Sequence, residues 1–154
     1  MARIQVGDVL ADFALKSHTE ALIDTAELTA KKLLLSFHPL AWTDICASQM
    51  QSLEANHEAF KALNTVPLGI SVDSTPCKKA WAKSLGIAKV DLLSDFWPHG
   101  DIAAKLGLFI DKFGFSERTN VILDEQRKAI FVKVYPLKEL PDIKVVLDFL
   151  RNKT

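Results

Sequence analysis

The sequence predicts an α/β fold with a central mixed β-sheet and helices on both of its faces. Two short apolar segments, residues 33–37 and 66–72, have the patterns of strands, and the stretch between them is long enough for a helix. A strand, a helix and a strand in this order pair in parallel through a right-handed connection. With 154 residues, 49% of them apolar and 25% charged, the chain is expected to form one domain, residues 1–154.

Each strand of this unit has its own signal. Residues 33–37 are nearly all apolar, which is typical of a strand covered on both faces. Residues 66–72 place apolar side chains at every second position and end at Asp73. Residues 43–64 predict the crossover helix, and Ser74 followed by Pro76 predicts a second helix that ends near Gly86.

The last third of the chain predicts a hairpin and a helix. Residues 120–124 and 129–135 have strand patterns and flank a polar turn. After Pro141, apolar residues recur at helical spacing, namely Ile143, Val146, Leu147 and Leu150. The order strand, helix, strand, helix, hairpin, helix matches the thioredoxin-like fold.

Charge and composition exclude several classes of function. The 19 basic and 19 acidic residues are interspersed, which predicts neither nucleic-acid binding nor a polybasic membrane contact. No stretch approaches the ~20 apolar residues of a membrane span, and Asp8 and Asp12 interrupt the N-terminus before signal-peptide length. We therefore expect a cytoplasmic protein with two free thiols. Two cysteines and four scattered histidines predict no metal site and no cofactor.

Cys46 occupies a position that favours a reactive thiol. Thr43 is a good N-cap, so Cys46 is the third helical residue, where free amides and the helix dipole favour a thiolate. Cys46 also begins an inward stripe that continues through Met50, Leu53, His57 and Phe60, which predicts a thiol at the foot of a pocket. His57 is expected to be a core residue. On position alone, a buried and inert Cys46 is an equally good interpretation.

Three residues together point to chemistry. Pro39, Thr43 and Cys46 resemble the Pro-x-x-x-Thr-x-x-Cys signature of the peroxiredoxins, and Arg118 resembles the arginine that precedes the hairpin strand in that family. The resemblance extends along nearly the whole chain, through residues 6–8, 12–13, 71–73, 79–82 and 92–95. Within the family, residues 94–100 and the short tail are most similar to the one-cysteine or AhpE-like branch, and an atypical two-cysteine branch is the alternative.

The resemblance implies a role for each residue. Cys46 would be the peroxidatic nucleophile, and Thr43 would hydrogen-bond both the peroxide and the sulfur. Pro39 would shield the site from water, and Arg118 would hold the thiolate and the developing oxyanion. Full ionisation of an ordinary thiol of pKa about 8.5 gains only about 14-fold at pH 7.4, so the remaining acceleration must come from positioned donors.

The resemblance also implies partners. The substrate would be hydrogen peroxide or a small organic hydroperoxide, the reductant a thioredoxin-like protein or low-molecular-weight thiol, and the assembly a homodimer. Cys77 either resolves the oxidised Cys46 or leaves that step to an external thiol. Its neighbours Lys78 and Lys79 favour a reactive thiol, but they would equally serve a solvated face. We expect the two crossover helices on opposite sheet faces, so pairing with Cys46 would require both first turns to unwind.

Other functions remain as alternatives. A redox-sensing or partner-binding protein would oxidise Cys46 without turnover, and a structural adaptor would bury an inert thiol. A disulfide oxidoreductase of the same fold is disfavoured, because Thr43 occupies the place where its first cysteine would lie.

Overall fold

The computed structural model describes residues 2–153, which form nine strands, five α-helices and one short 3-10 turn. The strands are β1 (Ala14–Ser17), β2 (Leu22–Asp24), β3 (Lys32–Phe37), β4 (Thr65–Ser71), β5 (Asp91–Ser94), β6 (Phe109–Ile110), β7 (Phe115–Ser116), β8 (Arg118–Leu123) and β9 (Ala129–Tyr135). The helices are α1 (Asp44–Ala55), α2 (His57–Ala62), α3 (Thr75–Leu85), α4 (Asp101–Lys105) and α5 (Ile143–Asn152). The 3-10 turn covers Thr25–Glu27.

The main sheet is mixed, as predicted. Its seven strands lie in the order β2-β1-β5-β4-β3-β8-β9, with β6 and β7 paired separately. The three central strands β3, β4 and β5 run parallel, and the remaining pairs are antiparallel. The predicted strands 33–37 and 66–72, the hairpin and the helix after Pro141 are confirmed. Every residue of β8 is buried, because this strand lies between β3 and β9.

Two apolar clusters cover the two faces of the sheet, which confirms helices on both sides. One cluster includes Met50 and Leu53 of α1, Trp81 of α3 and Val146 of α5. The other includes Ile102 and other residues of α4. The expectation that α1 and α3 lie on opposite faces is wrong. Because β3, β4 and β5 follow one another in a single direction, two right-handed crossovers place both helices on the same face.

The predicted crossover helix is two helices separated at Asn56. Asn56 is the C-cap of α1 and the N-cap of α2, and the inward stripe does not continue regularly after Leu53. Phe60 is fully buried, whereas His57 is half-buried and its Nδ1 lies 3.7 Å from Glu58. The prediction of His57 as a core residue is therefore wrong. No helix within residues 2–153 is long and apolar enough to cross a bilayer.

Candidate active site

Cys46 lies in the first turn of α1, directly beyond the carboxyl end of β3. Thr43 is the N-cap residue and Cys46 the third helical residue, as predicted. In the described chain no side chain caps this turn, because the Thr43 hydroxyl donates instead to the Leu40 carbonyl at 2.8 Å. The open helix start presents amide groups and a partial positive charge, both of which favour an anion at Cys46.

Arg118 lies beside the sulfur. It is the first residue of β8, which pairs with β3, so the strand pairing brings it to the start of α1. Its Nη1 lies 3.3 Å from the Sγ of Cys46 and 2.8 Å from Oε1 of Gln49. Its Nε and Nη2 both donate to the carbonyl of Leu137, at 3.1 and 2.7 Å. These contacts fix the plane of a guanidinium that is 3% exposed.

One N–H donor of the Arg118 guanidinium has no acceptor among the described protein groups. Arginine carries five N–H donors, and protein groups among residues 2–153 use four of them. Glu117, the next acidic neighbour in sequence, pairs with Arg3 on the surface rather than with Arg118. The remaining donor of Arg118 is therefore free to bind a substrate oxygen.

Gln49 belongs to the site, although the sequence analysis did not identify it. It lies one helical turn after Cys46 and is buried. Its Oε1 accepts from Arg118, and its Nε2 donates to Ser36 Oγ at 2.8 Å and to the Phe37 carbonyl at 3.2 Å. The signal was present, since a polar residue three positions after Cys46 falls on the inward side of an amphipathic helix.

An open cleft of about 380 Å³ leads to this cluster. It reaches Thr43 and Arg118, and its walls are mostly apolar. Pro39 is buried at its edge, where its ring contributes an apolar surface. Cys46 itself has no exposed surface. The lining residues are Pro39, Leu40, Thr43, Asp44, Ile45, Phe115, Arg118 and Leu137. The structure therefore brings together all four residues that the signature predicted.

Cys77 lies in the first turn of α3, at the same end of the sheet as Cys46. Both cysteines are free thiols. Burial raises the pKa of Cys77, and the nearby Asp73 carboxylate, 3.9 Å from its sulfur, raises it further. Lys79 pairs with Glu20 on the surface, and Lys78 is buried. Lys78 lowers the pKa of Cys77, but burial and Asp73 outweigh it, and Lys79 lies on the solvated face that was the alternative.

Solved structures with this architecture define the class of protein. Peroxidoxin BcpB from Mycobacterium tuberculosis superposes with a TM-score of 0.86 at 24% identity and covers 99% of both chains. The reduced 2-Cys peroxiredoxin of Plasmodium vivax superposes with a TM-score of 0.84 at 25% identity and covers 95% of this chain and 80% of that one. The fold is the thioredoxin-like fold of peroxiredoxins. In this chain, Cys46 and Arg118 lie together beyond the carboxyl end of β3.

Sequence comparison then defines the family. The AhpC/TSA family profile matches residues 6–131. Alkyl hydroperoxide reductase E of Mycobacterium tuberculosis is 32% identical over 152 residues, which is 98% of this chain and 99% of that protein. A thiol peroxidase of Streptococcus agalactiae is 30% identical over 131 residues, 85% of this chain and 78% of the relative. The chain belongs to the AhpC/TSA family and is a peroxiredoxin.

Proposed function

We propose that Cys46 is the peroxidatic cysteine of this thiol peroxidase. Its thiolate attacks the peroxide oxygen that bears hydrogen, so an S–O bond forms as the O–O bond breaks. The sulfur is oxidised to a sulfenic acid, and the other oxygen leaves with the electron pair and takes a proton to become water or an alcohol. The 3.3 Å contact between Cys46 Sγ and Arg118 Nη1 is the observation that carries this assignment.

Arg118, Thr43 and Pro39 complete the chemistry. The free N–H of Arg118 binds a peroxide oxygen and stabilises the negative charge that develops on it. The Thr43 hydroxyl donates its hydrogen to the Leu40 carbonyl. Its oxygen therefore accepts a hydrogen bond from the O–H group of the peroxide. Pro39 has no amide N–H and limits water at the sulfur. The reaction is then driven by positioned donors as well as by thiolate formation.

The cleft supports hydrogen peroxide and small organic hydroperoxides as substrates. Its volume of about 380 Å³ accommodates a short organic group, and its apolar walls favour an alkyl chain over a charged one. Because Cys46 is fully buried, the substrate first binds at Thr43 and Arg118.

Stopped-flow measurement of peroxide consumption tests the assignment. With dithiothreitol as reductant, Cys46→Ser is expected to lose turnover, whereas Cys77→Ser keeps the rate of the first oxidation. Full activity in Cys46→Ser contradicts the proposal. Stoichiometric oxidation of Cys46 without turnover supports the alternative of a redox sensor.

We propose that an external thiol resolves the sulfenic acid of Cys46. The thiol attacks the sulfenic sulfur, releases water and leaves a mixed disulfide, which a second thiol from a thioredoxin-like protein or a low-molecular-weight donor reduces. The raised pKa of Cys77 supports this choice, because few Cys77 thiols are ionised near neutral pH. Non-reducing mass spectrometry after one equivalent of peroxide is the test, and a peptide linking Cys46 to Cys77 contradicts it.

We propose that the chain acts as a homodimer. Four large aromatic side chains are solvent-exposed around the cleft end of the molecule, namely Trp42, Phe96, Trp97 and Phe113. Phe113 stacks on Phe115, which lines the cleft, so this apolar surface continues into the site. Sedimentation at micromolar concentration is expected to give a dimer that Trp97→Glu dissociates. A monomer at every concentration contradicts the proposal.

We further propose that residues 1–154 act as one domain in a reducing compartment such as the cytoplasm. Leu34 near the N-terminus and Val146 near the C-terminus share one apolar cluster, which supports a single cooperative unit. The two free thiols support a reducing compartment. Limited proteolysis that yields a stable folded fragment contradicts the single domain.

A further inference from the structure

Lys78 is a fully buried lysine on α3. Its Nζ lies 2.6 Å from Ser71 Oγ and 2.8 Å from His38 Nε2, and it stands 5.6 Å from the centre of the Trp81 ring. The His38 ring packs on the same indole at 5.4 Å between centroids. Lysine is almost never fully buried unless its charge is compensated. These contacts therefore compensate the buried amine of Lys78, and a buried polar cluster of this kind indicates a functional role.

The hydrogen bonds of this cluster indicate which groups donate and which accept. Lys78 donates to Nε2 of His38, so the His38 ring is neutral and carries its proton on Nδ1, 3.4 Å from the Ser36 carbonyl. Burial and the Lys78 charge hold the pKa of His38 well below its ordinary value, which agrees with a neutral ring. Ser71 accepts from Lys78 and donates to Asp73 at 2.6 Å. The Asp73 carboxylate thus balances the ammonium through one hydroxyl.

The same cluster holds the loop that shapes the active site. His38 directly precedes Pro39, so its bond to Lys78 fixes the start of residues 38–43. Asp73 accepts the backbone N–H of Ala41 at 2.8 Å, which fixes the middle of the loop. The Pro39 and Thr43 side chains therefore depend on Lys78 for their placement.

The charge of Lys78 depends on its buried surroundings. Burial lowers its pKa to about 7, against the opposing effects of Asp73, Cys46 and Cys77, which favour its charged form. Lys78 in turn lowers the pKa of His18, where burial is the larger cause.

We propose that Lys78 is a positioning residue for peroxide reduction. Its charged form holds the loop of residues 38–43 through His38 and Asp73, because a charged donor makes the stronger hydrogen bonds. The inference rests on the proposed role of Cys46 as the peroxidatic cysteine. The charge is present in mildly acidic solution and lost above neutrality, so its contribution depends on pH.

The test is the rate constant for hydrogen peroxide reduction from pH 5.5 to 8.5 in the wild type, Lys78→Met and Lys78→Arg. Methionine keeps much of the side-chain length without the charge, and arginine stays charged throughout. The ratio of the wild-type to the Lys78→Met rate is expected to be about tenfold at pH 5.5 and to fall at least fivefold by pH 8.5. Lys78→Arg is expected to exceed the wild type at pH 8.5.

The outcomes separate the explanations. Lys79→Met, at the exposed neighbouring position, is the matched control and is expected to stay within twofold of the wild type. A ratio for Lys78→Met that is constant with pH, at any value, overturns the proposal, since a hold on the loop that depends on the lysine charge must weaken as Lys78 loses its proton. Should Lys78→Arg fail to fold, the Lys78→Met ratio alone still decides. Activity in Cys46→Ser instead overturns the assignment of Cys46.

Discussion

At the scale of single residues, Arg118 and Gln49 form one hydrogen-bonded unit beside the sulfur of Cys46. The guanidinium is held on one side by the Leu137 carbonyl and on the other by the Gln49 amide, which is itself held by Ser36 and Phe37. Each side-chain nitrogen and oxygen of Arg118 and Gln49 has a partner, as buried polar groups require. The orientation of Arg118 toward Cys46 is thus fixed before any peroxide arrives.

Arg118→Lys is expected to lower the rate of peroxide reduction about 10²–10³-fold, although the charge is kept. A lysine is a point donor and cannot reach Cys46, Gln49 and Leu137 from one planar group. Stopped-flow kinetics measures the loss. Arg3→Lys, which changes a more exposed arginine paired with Glu117, is the control and should retain wild-type kinetics. Equal rates for Arg118→Lys and wild type would show that charge alone suffices.

Gln49→Leu is expected to lower the free energy of unfolding by about 1–3 kcal/mol and to slow peroxide reduction about tenfold. The substitution removes an acceptor from Arg118 and leaves the Phe37 carbonyl buried without this donor. Urea unfolding and stopped-flow kinetics measure the two effects. Gln51→Leu, on the exposed face of the same helix, should change neither quantity. Unaltered kinetics in Gln49→Leu would remove Gln49 from the site.

At the scale of elements, the position of α1 on the sheet decides where Cys46 lies. The helix packs on β4 at Gly69, where a Cβ would overlap Met50 Sδ and would meet Leu92 Cδ2 at 2.9 Å. The missing side chain of Gly69 lets the fully buried Met50 contact the strand directly. One small residue in β4 therefore determines how closely the helix that carries Cys46 approaches the sheet.

Gly69→Ala is expected to destabilise the fold by about 1–3 kcal/mol, because Met50 and Leu92 must shift. In a Met50→Ala background, which itself costs about 2–5 kcal/mol through a cavity, the same substitution is expected to cost less. Chemical denaturation of the four proteins of this double-mutant cycle measures the coupling. An identical cost in both backgrounds would mean that Met50 is not what excludes the Cβ.

At the scale of the whole molecule, global stability depends on the protonation of a buried lysine. The pKa of Lys78 is lowered by burial from 10.5 to about 7 in the folded protein. Between these two values the unfolded chain binds more protons than the folded chain at this site. Stability from this group therefore rises with pH through this interval, and the buried charge below about pH 7 is a constant cost to folding.

The wild type is expected to gain about 2–3 kcal/mol of unfolding free energy relative to Lys78→Met between pH 7 and pH 9. The comparison cancels the titration of groups that both proteins share. Equilibrium denaturation at several pH values supplies the two curves, with Lys79→Met as the exposed control. Parallel curves for wild type and Lys78→Met would show that Lys78 keeps its ordinary pKa in the folded state.

The parts of the structure that could be predicted are those whose residues show a local apolar pattern. Strand β4, the β8–β9 hairpin and α5 follow from alternation or helical spacing, and the Pro39, Thr43 and Cys46 spacing fixes the first turn of α1. Gln49 and Lys78 were not recognised as buried residues that support the site, because a polar residue in an amphipathic helix is usually on its surface. The shared face of α1 and α3 requires the strand order, which depends on contacts between distant segments rather than on local sequence.

The double role of Leu137 has a consequence for how this enzyme can diverge. Its main-chain carbonyl anchors the guanidinium, whereas its side chain forms part of the cleft wall. Any amino acid supplies the same carbonyl, so exchanges at this position alter the shape offered to the incoming molecule while the anchor persists. Selectivity among oxidants can therefore drift in evolution without a matching change in the reaction centre.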